Sequence, residues 1–403
     1  MVTRSVREGR NGNRLKKTTT ADQPVPDKSK IGSDWTNLFW PALVAAETAT
    51  ALAGQMFGIL AAPAAEPETP APEPVWTTKH EIVLELGAVR LRRFASGSKR
   101  GRRPIVVCAP FSLHDARLVD ICEGHSLMAV LGGGGAPLYL VEWLSAKPSQ
   151  AFRGIDDLLA DLNVLVDAIG GVCDFIGLCQ GGWLSLIYAA RFPAKAGRLV
   201  LAAAPIDIDA AESGLSSLAR STPTETFREV VRLGQGLARG DQALSFWRCD
   251  MESSAAIHAL LQSGLPPDSP RFEAQAALFR AWDQQTLNLP GAYYLEVAEK
   301  FYKQNQLAKG EFVALGQRIE LKNMRCPLYL IAALDDEIAA PEQTLACAKL
   351  VGTPRAALRE RNAPGGHISL FVGAKSLEEV WPEVLDWLAA PMANKPPSRP
   401  VAT

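Results

Sequence analysis

Residues Cys173–Pro193 read CDFIGLCQGGWLSLIYAARFP, and this segment narrows the fold more than any other. Asp174–Leu178 has strand character, and a helical pattern begins at once after Cys179. Gly177, Gly181 and Gly182 surround the cysteine. A strand that becomes a helix within one residue leaves no room at the turn. Side chains two positions either side of the apex would collide, so glycine is needed there. The pattern is the G-x-S-x-G nucleophile elbow with cysteine in place of serine. The following helix points its N-terminus at the cysteine, and that positive end favours an attacking thiolate. The plain alternative is a small buried cysteine in a glycine-rich turn. The strand–turn–helix setting selects the functional reading.

The rest of the chain supplies the sheet that an elbow requires. KHEIVLELGAVRLRRF (Lys79–Phe94) alternates around Gly87 and predicts a β-hairpin. PIVVCAP (Pro104–Pro110), PLYLVEW (Pro137–Trp143), RLVLAAAP (Arg198–Pro205) and PLYLIAAL (Pro327–Leu334) join CDFIGLC as continuous apolar runs. Such strands are buried on both faces, as in a parallel sheet. Helical patterns fall at 154–169, 181–192, 342–351 and 377–389. This alternation predicts an α/β fold with a mostly parallel central sheet flanked by helices. From Asp207 to about Asn305 the strand rhythm stops, and FREVVRLGQGLARG, SFWRCD and FEAQAALFRAWDQQT are helix-prone and aromatic. An inserted helical cap is expected there, over the carboxyl ends of the strands.

Composition excludes several classes. The 403 residues are 47% hydrophobic, too apolar for a disordered chain. Their formal net charge of −1 argues against a nucleic-acid partner. Seven scattered cysteines do not make a disulfide scaffold. With no C-x-x-C pair and five histidines, no metal site is expected. The expectation is a reduced cytoplasmic protein. The balanced charge hides an asymmetry. Residues 1–32 carry Arg4, Arg7, Arg10, Arg14, Lys16, Lys17, Lys28 and Lys30, and read as a disordered basic arm. This arm is either a solubilising tail or a surface tether. Residues 33–62, capped by Ser33 and Asp34, read as an amphipathic helix rather than a membrane span. A Pro/Ala-rich linker covers 63–74, the catalytic domain 75–390, and a disordered tail 391–403.

A cysteine nucleophile in this setting needs an acid and a base, in the chain order nucleophile, acid, base. Two histidines follow Cys179. His258 lies in the cap and reads as a surface residue, whereas His367 lies in APGGHISLF, a loop suited to a general base. Asp335, Asp336 and Glu337 follow the PLYLIAAL strand. Asp336 is taken as the triad acid, with Asp335 as the alternative. The amide of Gln180 forms half of an oxyanion hole, and that of Phe111 or Ser112 the other half. His114 and Trp183 are candidate pocket residues, with a capping role as the alternative for His114.

At these residues the chain resembles the polyhydroxyalkanoate synthase and intracellular polyhydroxyalkanoate depolymerase superfamily of α/β-hydrolases, whose members use a Cys–Asp–His triad. GLCQGG resembles the synthase Gly-x-Cys-x-Gly-Gly box. WDQQTLNLPG (Trp282–Gly291) and FYKQNQLAKGEF (Phe301–Phe312) resemble the synthase stretch with a Trp, a Leu-Pro-Gly and an Asn-x-Leu. LDDEI places Asp336 as the triad carboxylate, and GGHIS places His367. VCAPFSLHDARL (Val107–Leu118), APID, DDEIAAPEQT and GHISLFVG lean toward depolymerases. Two positions depart from synthases, where a His follows the triad Asp and a Trp follows the next Pro; here they are Glu337 and Glu342. One departs from depolymerases, which lack the Gly181–Gly182 pair. The resemblance implies an α/β-hydrolase fold and no cofactor, a CoA thioester entering only as substrate. It implies hydrolysis of a hydroxyalkanoate polyester through an acyl-cysteine, with polymerisation of 3-hydroxyacyl-CoA as the alternative. An inactive granule-surface protein, tethered by the arm and helix, is the reading from another class. A homodimer is a further expectation.

Overall fold

Eight strands form one twisted sheet: β1 Glu81–Leu86, β2 Val89–Ser96, β3 Ile105–Cys108, β4 Pro137–Trp143, β5 Cys173–Leu178, β6 Ala196–Ala202, β7 Leu328–Ala333 and β8 Leu358–Ala363. The computed structural model describes residues 75–96, 101–242 and 253–391. The basic arm, the amphipathic helix, the linker and all of the tail beyond residue 391 lie outside the described residues, as do 243–252 of the insert. In space the strands run β1-β2-β4-β3-β5-β6-β7-β8. The hairpin of β1 and β2 is antiparallel, and β2 pairs antiparallel with β4. The ladders from β4 through β3, β5, β6 and β7 to β8 are all parallel. This is the α/β-hydrolase architecture.

The apolar runs are buried on both faces because helices cover both. Along β3, Val106 and Cys108 point to one face, where they join Leu158 and Leu162 of α2 (Ile155–Ala168) and Trp183 and Ile187 of α3 (Gln180–Arg191). Ile105 and Val107 point to the other face, against Leu127 and Leu131 of α1 (Leu127–Gly132) beside Val384 and Leu388 of the C-terminal helix Trp381–Ala389. Period-two alternation thus feeds two cores, and each fully buried Leu, Ile or Phe stabilises the fold by roughly 1.5–3 kcal/mol.

The insert falls where the strand rhythm stops, between β6 and β7. It carries α4 Gly214–Ser221, α5 Thr224–Leu233, α6 Ser254–Leu261, α7 Pro270–Asp283 and α8 Gly291–Glu296, the last running on into a π-helical turn at Val297–Lys303. Backbone and side chains tie it to the loop after β3. Leu287 N–H donates to the Leu113 carbonyl (2.7 Å) and Trp282 Nε1 to that of Asp115 (3.1 Å).

Some local expectations shift. The helix expected over 342–351 is two pieces, Pro341–Leu345 and Cys347–Leu350. The one expected over 377–389 starts as a π turn at Ser376–Val380 and becomes α-helical at Trp381. Pro382 lacks an N–H for the preceding turn, which suits a helix start and not a helix interior. β8, whose sequence is LRERNA, was not among the apolar runs. It is the outer strand, with most of its residues exposed or half-buried, so it needs little apolar character.

Candidate active site

Backbone geometry holds the elbow. Cys179 follows β5 with φ 49° and ψ −117°, in the sterically restricted positive-φ half of the map. Its N–H donates to the Ala202 carbonyl on β6 (2.9 Å), and its own carbonyl accepts from Gly182 N–H (2.9 Å). Two close approaches explain the glycines. A Cβ on Gly177 would sit 2.5 Å from Gly182 Cα, and one on Gly181 would sit 2.1 Å from the Cys108 carbonyl oxygen. The second contact sets the start of α3 against the end of β3, the strand that leads to Phe111.

Sheet register brings the acid to the base. Ala333 of β7 faces Ala363 of β8, and the pairing continues past both strands. Leu334 N–H donates to the Ala363 carbonyl (2.9 Å), and Asp335 N–H to that of Gly365 (3.0 Å). The loops of Asp336 and His367 therefore lie side by side. His367 Nδ1 is 2.8 Å from Asp336 Oδ2 and 3.0 Å from Oδ1. Asp336 Oδ1 also accepts from the amides of Ile338 (2.9 Å) and Ala339 (2.8 Å), so the enclosed carboxylate is fully engaged. Asp335 is exposed, and it is its backbone amide that meets the His367 loop. With Nδ1 bound to the carboxylate, Nε2 is the ring nitrogen left to serve Cys179, whose charge bears on the imidazole.

Burial on its own pulls the His367 imidazolium down. The negative charge that Cys179 and Asp336 can carry, with the hydrogen bond to Asp336, overrides this and holds it well above the ordinary value. The other described cysteines are packing residues. Burial pushes the thiols of Cys108 and Cys326 up to about 12 and that of Cys122 up to about 11, and it raises those of Cys173 and Cys347 as well. Cys249 lies outside the described residues.

The oxyanion candidates Gln180 and Phe111 share a neighbour in Tyr293. Gln180 opens α3, where first-turn amides have no intrahelical acceptor. Phe111 is buried and stacks on Trp143 (5.6 Å between centroids) and Tyr293 (5.2 Å), and Ser112 beside it is half-buried. The Tyr293 hydroxyl lies 3.0 Å from the Phe111 carbonyl oxygen and 2.7 Å from Gln180 Oε1. A thiol, an imidazole and a carboxylate in series, beside unspent amides, can form and release an acyl-thioester.

Similarity to known proteins is found in both sequence and fold. Residues 268–391 match the family model described as PHB de-polymerase C-terminus. The poly(3-hydroxyalkanoate) polymerase subunit PhaC of Allochromatium vinosum is 27% identical over 280 residues, covering 67% of this chain and 76% of that protein. The subunit of the same name from a Synechocystis strain is 27% identical over 326 residues, covering 77% and 84%. Among solved structures, a Paleococcus ferrophilus monoacylglycerol lipase aligns with a TM-score of 0.47 at 16% identity, over 74% of this chain and 98% of that one. The chain is an α/β-hydrolase superfamily protein similar to polyhydroxyalkanoate synthases and depolymerases. It is an α/β-hydrolase-fold enzyme of the ester hydrolase and acyltransferase class.

In this superfamily member the depolymerase-type match encloses Asp336 and His367 and leaves out Cys179. The Leu-Pro-Gly and Asn-x-Leu motifs prove to be braces around the elbow. Leu289–Pro290 pairs with Leu237–Ala238. Asn305 donates through Nδ2 to Asp207 Oδ1 (2.7 Å) and accepts from Ile208 N–H (3.1 Å), clasping the loop after β6. Trp183 is 1% exposed and packs against Phe301 (4.3 Å) and Tyr293 (6.4 Å), in the core beneath the site. His114 donates from Nε2 to the Asp283 carbonyl (3.0 Å) and lies 4.7 Å from the Trp282 ring, fastening the insert. Two tyrosines that sequence reasoning passed over stand close to the triad. Tyr293 and Tyr302 are buried, and burial followed by the Cys179 charge raises both phenols well above their ordinary range, so both stay protonated. Their only sequence signal is membership in the Leu-Pro-Gly to Asn-x-Leu stretch.

Proposed function

We propose that this enzyme is a synthase-like acyltransferase that polymerises 3-hydroxyacyl-CoA through an acyl-cysteine at Cys179. One observation carries the reading: the eight curated relatives matched are all poly(3-hydroxyalkanoate) polymerases. Sγ attacks the thioester carbonyl as a thiolate, its proton held on His367. The amides of Gln180 and of Phe111 or Ser112 receive the tetrahedral oxyanion. Asp336 holds the imidazole tautomer and stabilises the imidazolium. Collapse expels the CoA thiolate, which takes the proton from His367, and leaves the acyl-cysteine. The terminal hydroxyl of a growing chain then gives its proton to His367 and attacks the acyl carbon. The ester bond forms, the bond to Sγ breaks, and the thiol is restored. The cytoplasm, at the surface of a polyester granule, goes with this reading as the place of action.

Hydrolysis of the polyester is the second reading, favoured by the depolymerase-type match over 268–391 and by Glu337 and Glu342 at the two synthase-divergent positions. Water would replace the chain hydroxyl in the deacylation step. One experiment separates the two. Purified protein is incubated with 3-hydroxybutyryl-CoA and, separately, with amorphous polyester, following CoA release, polymer mass and free hydroxy acid. CoA release with polymer growth supports the synthase reading. Polyester loss without CoA release replaces it with hydrolysis. No consumption of either substrate favours a granule-surface protein. A Cys179→Ala chain that still forms an acyl-enzyme would overturn the nucleophile assignment.

A further inference from the structure

We infer that Tyr293 is a positioning residue that locks the two amide-bearing segments of the oxyanion hole together. The inference rests on the Cys179 reading above. Gln180 and Phe111 belong to different parts of the sheet, one opening the helix after β5 and the other in the loop after β3. A single hydroxyl from the insert touches both, at 2.7 Å and 3.0 Å. Tyr293 is 1% exposed, so the hydroxyl cannot turn to water. Its ring is stacked on Phe111 and flanked by Trp183, which fixes where the oxygen sits. Packing alone would be served by phenylalanine. The buried oxygen must be hydrogen-bonded to be tolerated, and its contacts are to the two candidate oxyanion segments.

Proton arithmetic gives the bond directions. A phenol has one proton and serves one of two acceptors. With the Gln180 amide turned end for end, its Nε2 donates to Tyr293 Oη, and Oη donates to the Phe111 carbonyl. Each link of that chain then has one donor and one acceptor. The Phe111 carbonyl and the Ser112 N–H are opposite ends of one planar peptide, so holding the oxygen holds that N–H. The same chain anchors the residue that supplies the Gln180 N–H. Both amides are thereby set before substrate arrives, which is the condition for stabilising an oxyanion.

The test uses the full-length chain carrying Tyr293→Phe, with Gln180→Met as a second variant of similar volume. Each lowers kcat about 10- to 100-fold with KM within about twofold, because misplaced donors weaken the transition state and spare the ground state. A trifluoromethyl ketone analogue, which forms a tetrahedral adduct with the cysteine, loses affinity in step with kcat; an unreactive substrate analogue keeps its affinity. The double variant is no worse than the poorer single one, since both break the same chain. Native kcat in Tyr293→Phe, or equal loss of affinity for both analogues, overturns the inference while an inactive Cys179→Ala leaves the site reading standing. A Cys179→Ala enzyme that turns over like the native chain removes the reading itself.

Discussion

Gly181→Ala tests the elbow at its tightest point. The new methyl would lie 2.1 Å from the Cys108 carbonyl oxygen, 2.8 Å from the Cys108 carbonyl carbon and 2.9 Å from the Ala109 oxygen. Real Cβ contacts essentially never fall below 3.0 Å, so α3 and the end of β3 must part by 3.0 − 2.1, about 0.9 Å. All three neighbours are backbone atoms, so no side chain can swing away. Overpacking of this kind costs roughly 1–3 kcal/mol, which in a domain of this size lowers Tm by roughly 2–12 °C. The functional loss is larger in proportion. The displaced strand end leads directly to Phe111 and Ser112, and a misplacement near 1 Å costs about a hundredfold in rate. Differential scanning fluorimetry reads the first effect, and single-turnover acylation by 3-hydroxybutyryl thioester reads the second. A variant with native Tm and a native acylation rate would show that the backbone here is not pinned as described, and the account of the elbow would fail.

Asp336→Asn removes the charge behind His367 and offers an amide N–H where the ring needs an acceptor; acylation falls about 10⁴-fold by analogy with the serine-protease triad. Asp335→Asn leaves acylation within about twofold, because an exposed surface substitution moves little, and equal losses in both variants would refute the choice of acid. His367 also sets a pH dependence. Its folded-state value is raised, so the native state retains a proton that the unfolded chain releases near 6.5. The stabilisation it contributes is therefore fully present below that pH and is lost as pH rises toward the folded value. Tm measured from pH 6 upward should decline for the native chain and decline less steeply for Asp336→Asn; parallel profiles would refute the coupling.

The elbow was readable from sequence because much of its constraint is local: strand, apex and helix follow one another, and Gly177 must pass Gly182 within that short stretch. The apolar strands were readable because burial on both faces forces continuous apolar composition. His367 emerged from a short list of histidines and a loop of suitable character. Sequence favoured Asp336 by resemblance but left Asp335 as an alternative. Adjacent residues point in different directions, and which one meets the imidazole depends on the β7–β8 register and on the amides of Ile338 and Ala339. Nor could it show β8, since an outer strand with solvent on most of its residues leaves no hydrophobic pattern. The Tyr293 contact with Gln180 spans 113 residues of sequence and exists only because the insert folds back over the sheet. The sequence alone singled out the candidate nucleophile and determined the layers around it. The tertiary structure decided which carboxylate, which tyrosine and which peptide planes surround that nucleophile, because those choices depend on distances between segments that no local pattern encodes.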